Sequence, residues 1–406
     1  MEVILDLHLH SRYSRACSPN LVPEVLAVAA ATRGIDILAT GDFTHPEWLK
    51  QLKAELEESA SGIFTLKNKL SPTKFILGTE IACIKKHKDK VRRVHHLVFA
   101  PNFAAVDRFN AKLRARGCNL NADGRPIVGL TSKELLEIVL ESDSEMMLIP
   151  AHAWTPWFGI FGSKGGYNSL EEAFEELSPQ IKAIETGLSS NPLMNWQLRQ
   201  LDNIALISNS DAHSPQKLGR EANVFFFKNE SAISYSEIKN IITSNDPKRF
   251  LTTLEFYPEE GKYYYDGHAD CQFSCAPSET KKNLGKCPKC SNKLIIGVLN
   301  RVVELADRTE KEAEKLKRVP FESLVPLLEI IASTIGVGVN SKKVLTIYNQ
   351  LIKEVGNEFY ILRKADLNKV AQVSSSLIAT ALERVRKGKI IIQPGYDGIF
   401  GVVKVS

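Results

Sequence analysis

The sequence predicts an α/β barrel followed by a cysteine-rich insert and a helical tail, and three observations carry this reading. Short apolar runs alternate with helical stretches over the first 228 residues, four cysteines crowd between 271 and 290, and the apolar pattern takes a helical period from about 297. About eight strands with crossover helices in roughly 230 residues suit a barrel of parallel strands better than an open sheet. The 406 residues divide accordingly into a barrel at 1–228, a connector at 229–262, an insert at 263–296 and a mainly helical tail at 297–406.

The first strand is Val3–Leu9. Ser18-Pro19 offers an N-cap with proline at the first helical position, opening a helix that ends at Gly34. Further strands are read at Ile35–Ala39, Phe75–Leu77, His96–Phe99, Met146–Ile149, Ile181–Ile184, Ile204–Ile207 and Val224–Phe227. One intervening helix opens with the capping box Thr131-x-x-Glu134. The tail reads as helices over Val298–Leu316, Phe321–Ile335, Ser341–Val355 and Leu367–Arg386, then β-like runs at Ile390–Ile392 and Phe400–Val403.

A composition of 44% hydrophobic and 24% charged residues is that of a folded globular chain and excludes wholesale disorder or a fibre. No uncharged apolar run reaches the ~18 residues that span a bilayer, so no membrane partner is expected. Met1–His8 lacks a basic leader, and seven cysteines are an odd number, which argues against a disulfide framework. A cytoplasmic location is expected. The net charge of +5 is unevenly placed: residues from 296 onward hold 17 Lys+Arg against 12 Asp+Glu, while the rest of the chain is balanced. A basic tail suggests a polyanion partner, with a solvated basic face as the commoner alternative.

Ligand-type side chains gather at strand ends. Asp6, His8 and His10 alternate along one strand, and Asp211 and His213 repeat the device. Glu80, His152 and His45 each follow an apolar strand, and His95 and His96 open another. Each motif alone is more often decoration of a surface or core. Together they lie where the strand ends of a parallel barrel converge, and such a cluster is costly unless metal or substrate satisfies it. Mixed imidazole and carboxylate donors suit zinc, manganese or iron rather than magnesium alone.

The ordered set Asp6-Leu7-His8-Leu9-His10, Gly78-Thr79-Glu80, His96-Leu97, Ala151-His152 and Ser210-Asp211-Ala212-His213 resembles the PHP (polymerase and histidinol phosphatase) superfamily. The resemblance implies a distorted barrel of metal-dependent phosphoesterase type with up to three metals. One would be held by His8, His10, Glu80 and Asp211, a second by Glu80, His96 and His152, and a third partly by His45 and His213. Two positions depart from the pattern: Ser14-Arg15-Ala16-Cys17 stands where Asp or His is usual, and His45 lies three residues beyond Asp42.

Cys271-x3-Cys275 followed by Cys287-Pro288-Lys289-Cys290 has the spacing of a four-thiolate structural zinc site, with His268 as a spare ligand candidate. Such a site is closed to substrate and stabilises a loop too short for its own core.

The barrel, this module, Gly297–Arg308 and the basic tail together resemble the endonuclease Q family along essentially the whole chain. That resemblance implies a metal-dependent endonuclease that nicks DNA 5′ to deaminated bases (hypoxanthine, uracil, xanthine) and abasic sites, the alternatives being a small-molecule phosphoesterase of the histidinol-phosphatase type and a non-catalytic nucleic-acid-binding scaffold. The products would be a 3′-hydroxyl and a 5′-phosphate. Its partner would be damaged double- or single-stranded DNA, bound in part by the tail, in a nucleoid-associated setting. A sliding clamp is a further candidate, without a recognisable peptide before Ser406. Asp211, Glu80, His8 and His10 form the expected catalytic core. Zinc is expected at both sites, with magnesium or manganese supporting catalysis. In the aromatic, glycine-rich loop after His152, Trp154, Trp157 and Phe158 offer stacking surfaces, the alternative being a loop packed on the barrel rim. Ser189 and Asn209 could read a base carbonyl or merely cap turns, and Lys86 could contact phosphate or be solvated. Glu185 lies at a strand end with no assigned role.

Overall fold

The computed structural model describes residues 1–88 and 90–405. Its strands are β1 (Glu2–Asp6), β2 (Ile37–Ala39), β3 (Leu56–Ala60), β4 (Ile63–Leu66), β5 (Lys74–His87), β6 (Lys90–Ala100), β7 (Ile127–Val128), β8 (Met147–Pro150), β9 (Ala183–Glu185), β10 (Ala205–Ile207), β11 (Ala222–Phe226) and β12 (Phe250–Glu255). Beyond them lie β13 (Asp266–His268), β14 (Phe273–Cys275), β15 (Phe321–Ser323), β16 (Ile391–Gln393) and β17 (Val402–Lys404).

The barrel is mixed rather than parallel. β1, β2 and β5 are parallel neighbours, but β11 runs antiparallel to β1, and β6 runs antiparallel to both β5 and β8. The parallel pair β9–β10 forms a separate ladder. It is stitched in on one side by Ala153 N–H donating to Glu185 O at 2.9 Å. On the other side the Asn223 side chain replaces a backbone ladder, accepting from Ser208 N at 2.9 Å and donating to Ser208 O at 2.8 Å. This break is the physical content of the expected distortion. Val3, Leu5, Ile37, Ile76, Phe99, Ile149 and Ile207 share one core with Ile238, Ile241 and Ile242 of the helix Tyr235–Ser244.

That helix and β12, which pairs with β11, lie inside the expected connector, so the barrel unit extends past residue 228 to at least Glu255. The first helix starts at Pro23, not Pro19, and stops at Gly34 as expected. Ser18 instead bonds through its N–H to His213 O at 2.9 Å. The Thr131–Glu134 capping box is present. In the tail, Phe321–Ser323 is an edge strand parallel to β12, because Pro320 and Pro326 confine the helix to Leu327–Ile335. The run from Val298 breaks after Leu305, where Arg308 forks onto both carboxylate oxygens of Asp202 (2.9 and 2.7 Å), and the capping box Thr309/Glu312 starts a new turn. Ser375 likewise caps a second helix within 367–386.

Part of the tail's positive charge is structural. Arg308 and Arg318 pair with Asp202 of the barrel, and Arg363 pairs with Glu322 and Glu2. No helix among the described residues is long and apolar enough to cross a membrane.

Candidate metal centre

The chain leaves β1 at Asp6 and runs His8–His10 against the loop after β10, with His10 N–H donating to Ala212 O at 3.1 Å. Asp6 shares the parity of His8 and His10 but anchors that loop, accepting from Ser210 N (3.0 Å) and Gly219 N (2.9 Å). Asp211 is thereby held beside both histidines.

His8 Nε2 lies 3.6 Å from Glu80 Oε1 and 3.5 Å from Asp211 Oδ1. His10 Nε2 lies 3.3 Å from Glu80 Oε2 and 3.3 Å from Asp211 Oδ1. Both Nε2 atoms and Asp211 Oδ1 are buried without a hydrogen-bond partner. An orphaned buried polar atom costs about 1–3 kcal/mol. Three orphans converging from two imidazoles and a carboxylate are the donor set a divalent cation would satisfy, so these residues fit a metal.

Each imidazole is oriented from behind by a carboxylate. His8 Nδ1 lies 3.1 and 3.0 Å from the two Glu185 oxygens, and Glu185 is itself fixed by Asn209 Nδ2 (2.8 Å) and His152 N (2.7 Å). His10 Nδ1 lies 3.1 Å from Asp42 Oδ1, while Asp42 Oδ2 accepts from Ser11 N, Ser11 Oγ and Ser14 Oγ at 2.6–2.8 Å. Carboxylates placed this way fix the tautomer and raise ligand basicity. Burial alone would depress both histidines, but Glu185, Asp211 and Glu80 raise His8 well above its ordinary value, and Asp42 and Asp211 do so for His10.

Glu80 joins this group to a second. Its Oε1 lies 2.8 Å from His95 Nδ1 and 2.9 Å from His152 Nε2, and those nitrogens are 3.2 Å apart. Burial pushes His95 down to about 4, Glu80 opposing, so its imidazole is neutral and available as a ligand. Arg125 Nη1 donates to Glu80 Oε2 at 3.0 Å and keeps a quarter of its side chain exposed at the mouth. Its loop enters the site at Gly124, where a Cβ would sit 2.3 Å from Asp42 Oδ2. Asp42, His152 and Asp211 all have positive φ (48°, 29° and 46°), so three residues of the site sit in the left-handed region.

The expected ligands are not all brought together. His96 is not in either group: its Nε2 lies 2.9 Å from Ser132 Oγ, and its neighbour His95 takes the place. Strand parity decides this. In the β5–β6 ladder Glu80 faces Leu97 and Ala82 faces His95, so His95 shares the face of Glu80 while His96, opposite Ile81, points away. His45 stacks on Tyr13 at 4.4 Å and joins neither group, whereas the His213 ring lies 4.6 Å from that of His10.

Several substrate-side expectations are also corrected. Asn209 is fully buried, its Oδ1 accepting from Leu7 N (2.8 Å) and Asn223 Nδ2 (2.9 Å), and so it supports Glu185 rather than reading a base. Trp154 is buried with its Nε1 donating to Asn195 Oδ1 at 2.8 Å. Lys86 is exposed and six residues along β5 from Glu80, about 20 Å at the strand rise, so a phosphate it met would lie outside the metal centre. Phe158 stacks on His95 at 4.4 Å, and Trp157 is 37% exposed beside Tyr263. Ser189 sits half-buried on the loop after β9.

In the insert, ligand atoms of His268, Cys271, Cys287 and Cys290 lie within 4.8 Å of one another, a three-thiolate, one-imidazole set in place of four thiolates. Cys275 is left out because the β13–β14 register puts it opposite Asp266, two residues down the hairpin from His268. Its Sγ is buried 3.2 Å from Thr280 Oγ1.

Sequence reasoning missed Asp42 and Arg125 as parts of the centre. Asp42, like Glu80, is a carboxylate just past a strand end, which was a readable signal. Arg125 sits on a loop with no pattern to mark it.

A mixed α/β barrel thus carries two imidazole–carboxylate groups that share one glutamate, the arrangement that the resemblance to the PHP superfamily implies. A family model described as the MJ0043 C-terminal domain matches residues 326–389. The chain is 31% identical over 271 residues to the protein MJ0043 of Methanocaldococcus jannaschii, covering 65% of this chain but only 33% of that protein, a third of its length. Among solved structures, the lesion-specific endonuclease PfuEndoQ from Pyrococcus furiosus superposes with a TM-score of 0.87 at 32% identity, covering 100% of this chain and 95% of that one. A complex of endonuclease Q with a 27-mer duplex substrate bearing an abasic lesion at the active site gives 0.86 at 33% identity, covering 100% and 97%. The chain belongs to the endonuclease Q family.

Proposed function

We propose that this protein is a metal-dependent, lesion-specific DNA endonuclease, cleaving 5′ to deaminated bases and abasic sites and leaving a 3′-hydroxyl and a 5′-phosphate. The observation that carries the reading is the pair of donor groups sharing Glu80, in a chain that matches lesion endonucleases from end to end.

His8, His10, Glu80 and Asp211 would hold one divalent cation, and Glu80, His95 and His152 a second, with His213 flanking the first. Bound there, such ions supply Lewis-acid polarisation of the scissile phosphodiester and lower the pKa of water. The chain's own residues do the rest. Glu185 and Asp42 hold His8 and His10 in the tautomer that presents Nε2. Asp211, at the half-open edge of the group, is placed to orient the attacking water. Arg125 offers the remaining guanidinium donors to a phosphate oxygen at the mouth. No serine or cysteine nucleophile is needed. Trp157, Phe158 and Ser189 are the surviving candidates for contact with the displaced nucleotide. The His268/Cys271/Cys287/Cys290 set would hold a structural zinc.

The test compares duplexes containing deoxyinosine, deoxyuridine or an abasic site with an undamaged duplex and a phosphomonoester, each with zinc, manganese or magnesium. Nicking confined to the lesion duplexes, with ends that DNA ligase can reseal, is expected. Equal nicking of undamaged DNA, or turnover of the phosphomonoester alone, would overturn the proposal.

A further inference from the structure

The β5–β6 hairpin extends well beyond the metal centre. By the ladder register, Lys85, His87, Lys90 and Arg92 share one face, with Lys90 exposed at the tip. The other three are engaged: Lys85 with both Glu134 oxygens (2.6 and 2.7 Å), His87 with Tyr167 OH (2.9 Å) and Glu175 (3.3 Å), and Arg92 with Glu172 (3.3 Å) and the Tyr167 ring (4.4 Å). The opposite face is the one that carries Glu80 and His95, and along it follow Arg93 and then Lys86, opposite Val91. Neither Lys86 nor Arg93 has a carboxylate within ion-pair distance among the described residues, Lys86 is exposed, and Val91 is 49% exposed. Beside them the loop after His152 follows the open edge of β6, Arg93 N–H donating to Gly165 O at 2.9 Å, which sets the exposed and unpaired Lys164 next to Arg93.

We infer that this metal-side face of the hairpin, with Lys86, Arg93 and Lys164, is a track for the sugar–phosphate backbone of duplex DNA outside the lesion. The inference rests on the endonuclease reading above. At about 3.3 Å per residue, Arg93 stands about 7 Å beyond His95 and Lys86 about 20 Å beyond Glu80. With one phosphate per about 3.4 Å of axis on each strand, that reach covers roughly six base steps. The row is linear and starts beside Glu80 and His95, which would hold a metal. An extended polyanion anchored at the centre is the ligand that matches it. Contacts of this kind position the duplex without reading its sequence.

The test measures binding of the full-length protein to abasic and deoxyinosine duplexes between 50 and 200 mM salt, alongside the single-turnover nicking rate at saturating DNA. For Lys86→Ala/Arg93→Ala the slope of log affinity against log salt should become shallower by about two, near 0.9 per lost phosphate contact, equally for both lesions. The rate at saturation should stay within about two-fold of wild type. Lys86→Arg/Arg93→Lys should restore the slope, and Lys85→Ala, on the opposite face, should leave it unchanged. An unchanged slope in the double variant, with wild type still nicking lesion DNA, would overturn the track alone. A wild type that neither binds nor nicks these duplexes would overturn the track and the endonuclease reading together.

Discussion

The two donor clusters of this protein are built on opposite principles. At the barrel mouth the ligands come from residues 8 to 211, are delivered by separate strand ends, and are oriented from behind by Glu185 and Asp42. In the insert all four ligands lie between 268 and 290, and the local core is Cys275, Cys287 and Leu294, backed by Cys271 and Phe273. The barrel thus makes its site, since a large apolar core separate from the ligands holds its strands together. In the module the order is reversed, because so few buried side chains cannot offset the entropy of ordering the loop, and metal binding energy becomes folding energy. A cluster's distance from its ligands in sequence therefore tells which way the dependence runs.

The sharpest way to break this contrast is Asp211→Asn. It should cut nicking by 10²-fold or more while lesion binding holds within a few-fold and the melting temperature is not lowered. A variant that keeps more than about a tenth of the wild-type rate would remove Asp211 from the centre.

Cys287→Ser should do the opposite, releasing about one equivalent of zinc and lowering the melting temperature before the chemistry suffers. Cys275→Ser, outside the ligand set, should retain the zinc. Metal analysis of the two variants decides between three thiolates with His268 and four thiolates.

Within the barrel, His95→Ala should weaken metal retention and nicking by about 10–100-fold. His96→Ala removes a buried ring that touches Ser132 and packs edge-on against Phe174, so it should lower stability but retain most activity in the folded protein. Equal effects would contradict the parity of β6. Glu185→Gln tests orientation rather than ligation, and the expected loss in metal affinity is about 10-fold, at the lower end of what such supporting partners contribute. Titration with zinc under a competing chelator measures it.

The smallest expected effect is one of pH. Glu255 lies fully buried, accepting from Thr186 Oγ1 at 3.2 Å, and burial pushes its carboxyl up to about 7 from the ordinary 4.5, as it also raises that of the buried Glu221. A group with a raised folded-state value binds its proton more tightly when folded. Its contribution to stability is therefore complete below about 4.5 and is lost as pH rises through about 7. Glu255→Gln should flatten the fall in melting temperature between pH 5 and 8, and a fall unchanged both in this variant and in Glu221→Gln would show that neither carboxyl binds its proton more tightly in the native state.

The sequence by itself determined the class of fold, most strand positions, the histidine and carboxylate motifs, the cysteine-rich insert and the helical tail. These are written in local periodicity, capping and spacing, each readable within about a dozen residues. It could not choose between His95 and His96, because both sit in one apolar strand and only the pairing of β6 with β5 says which faces Glu80. It could not see that Asn209 and Trp154 are buried, since a polar or aromatic residue in a loop looks the same whether it meets solvent, Glu185 or Asn195. Nor could it name the partners of Glu185, Asp42 and Arg125, which lie 177, 32 and 45 residues away along the chain, even where, as for Asp42, the strand end marked a candidate. Tertiary structure decided all of these for one reason: a side chain's chemistry is set by what it touches, and contacts between distant segments leave no trace in local pattern.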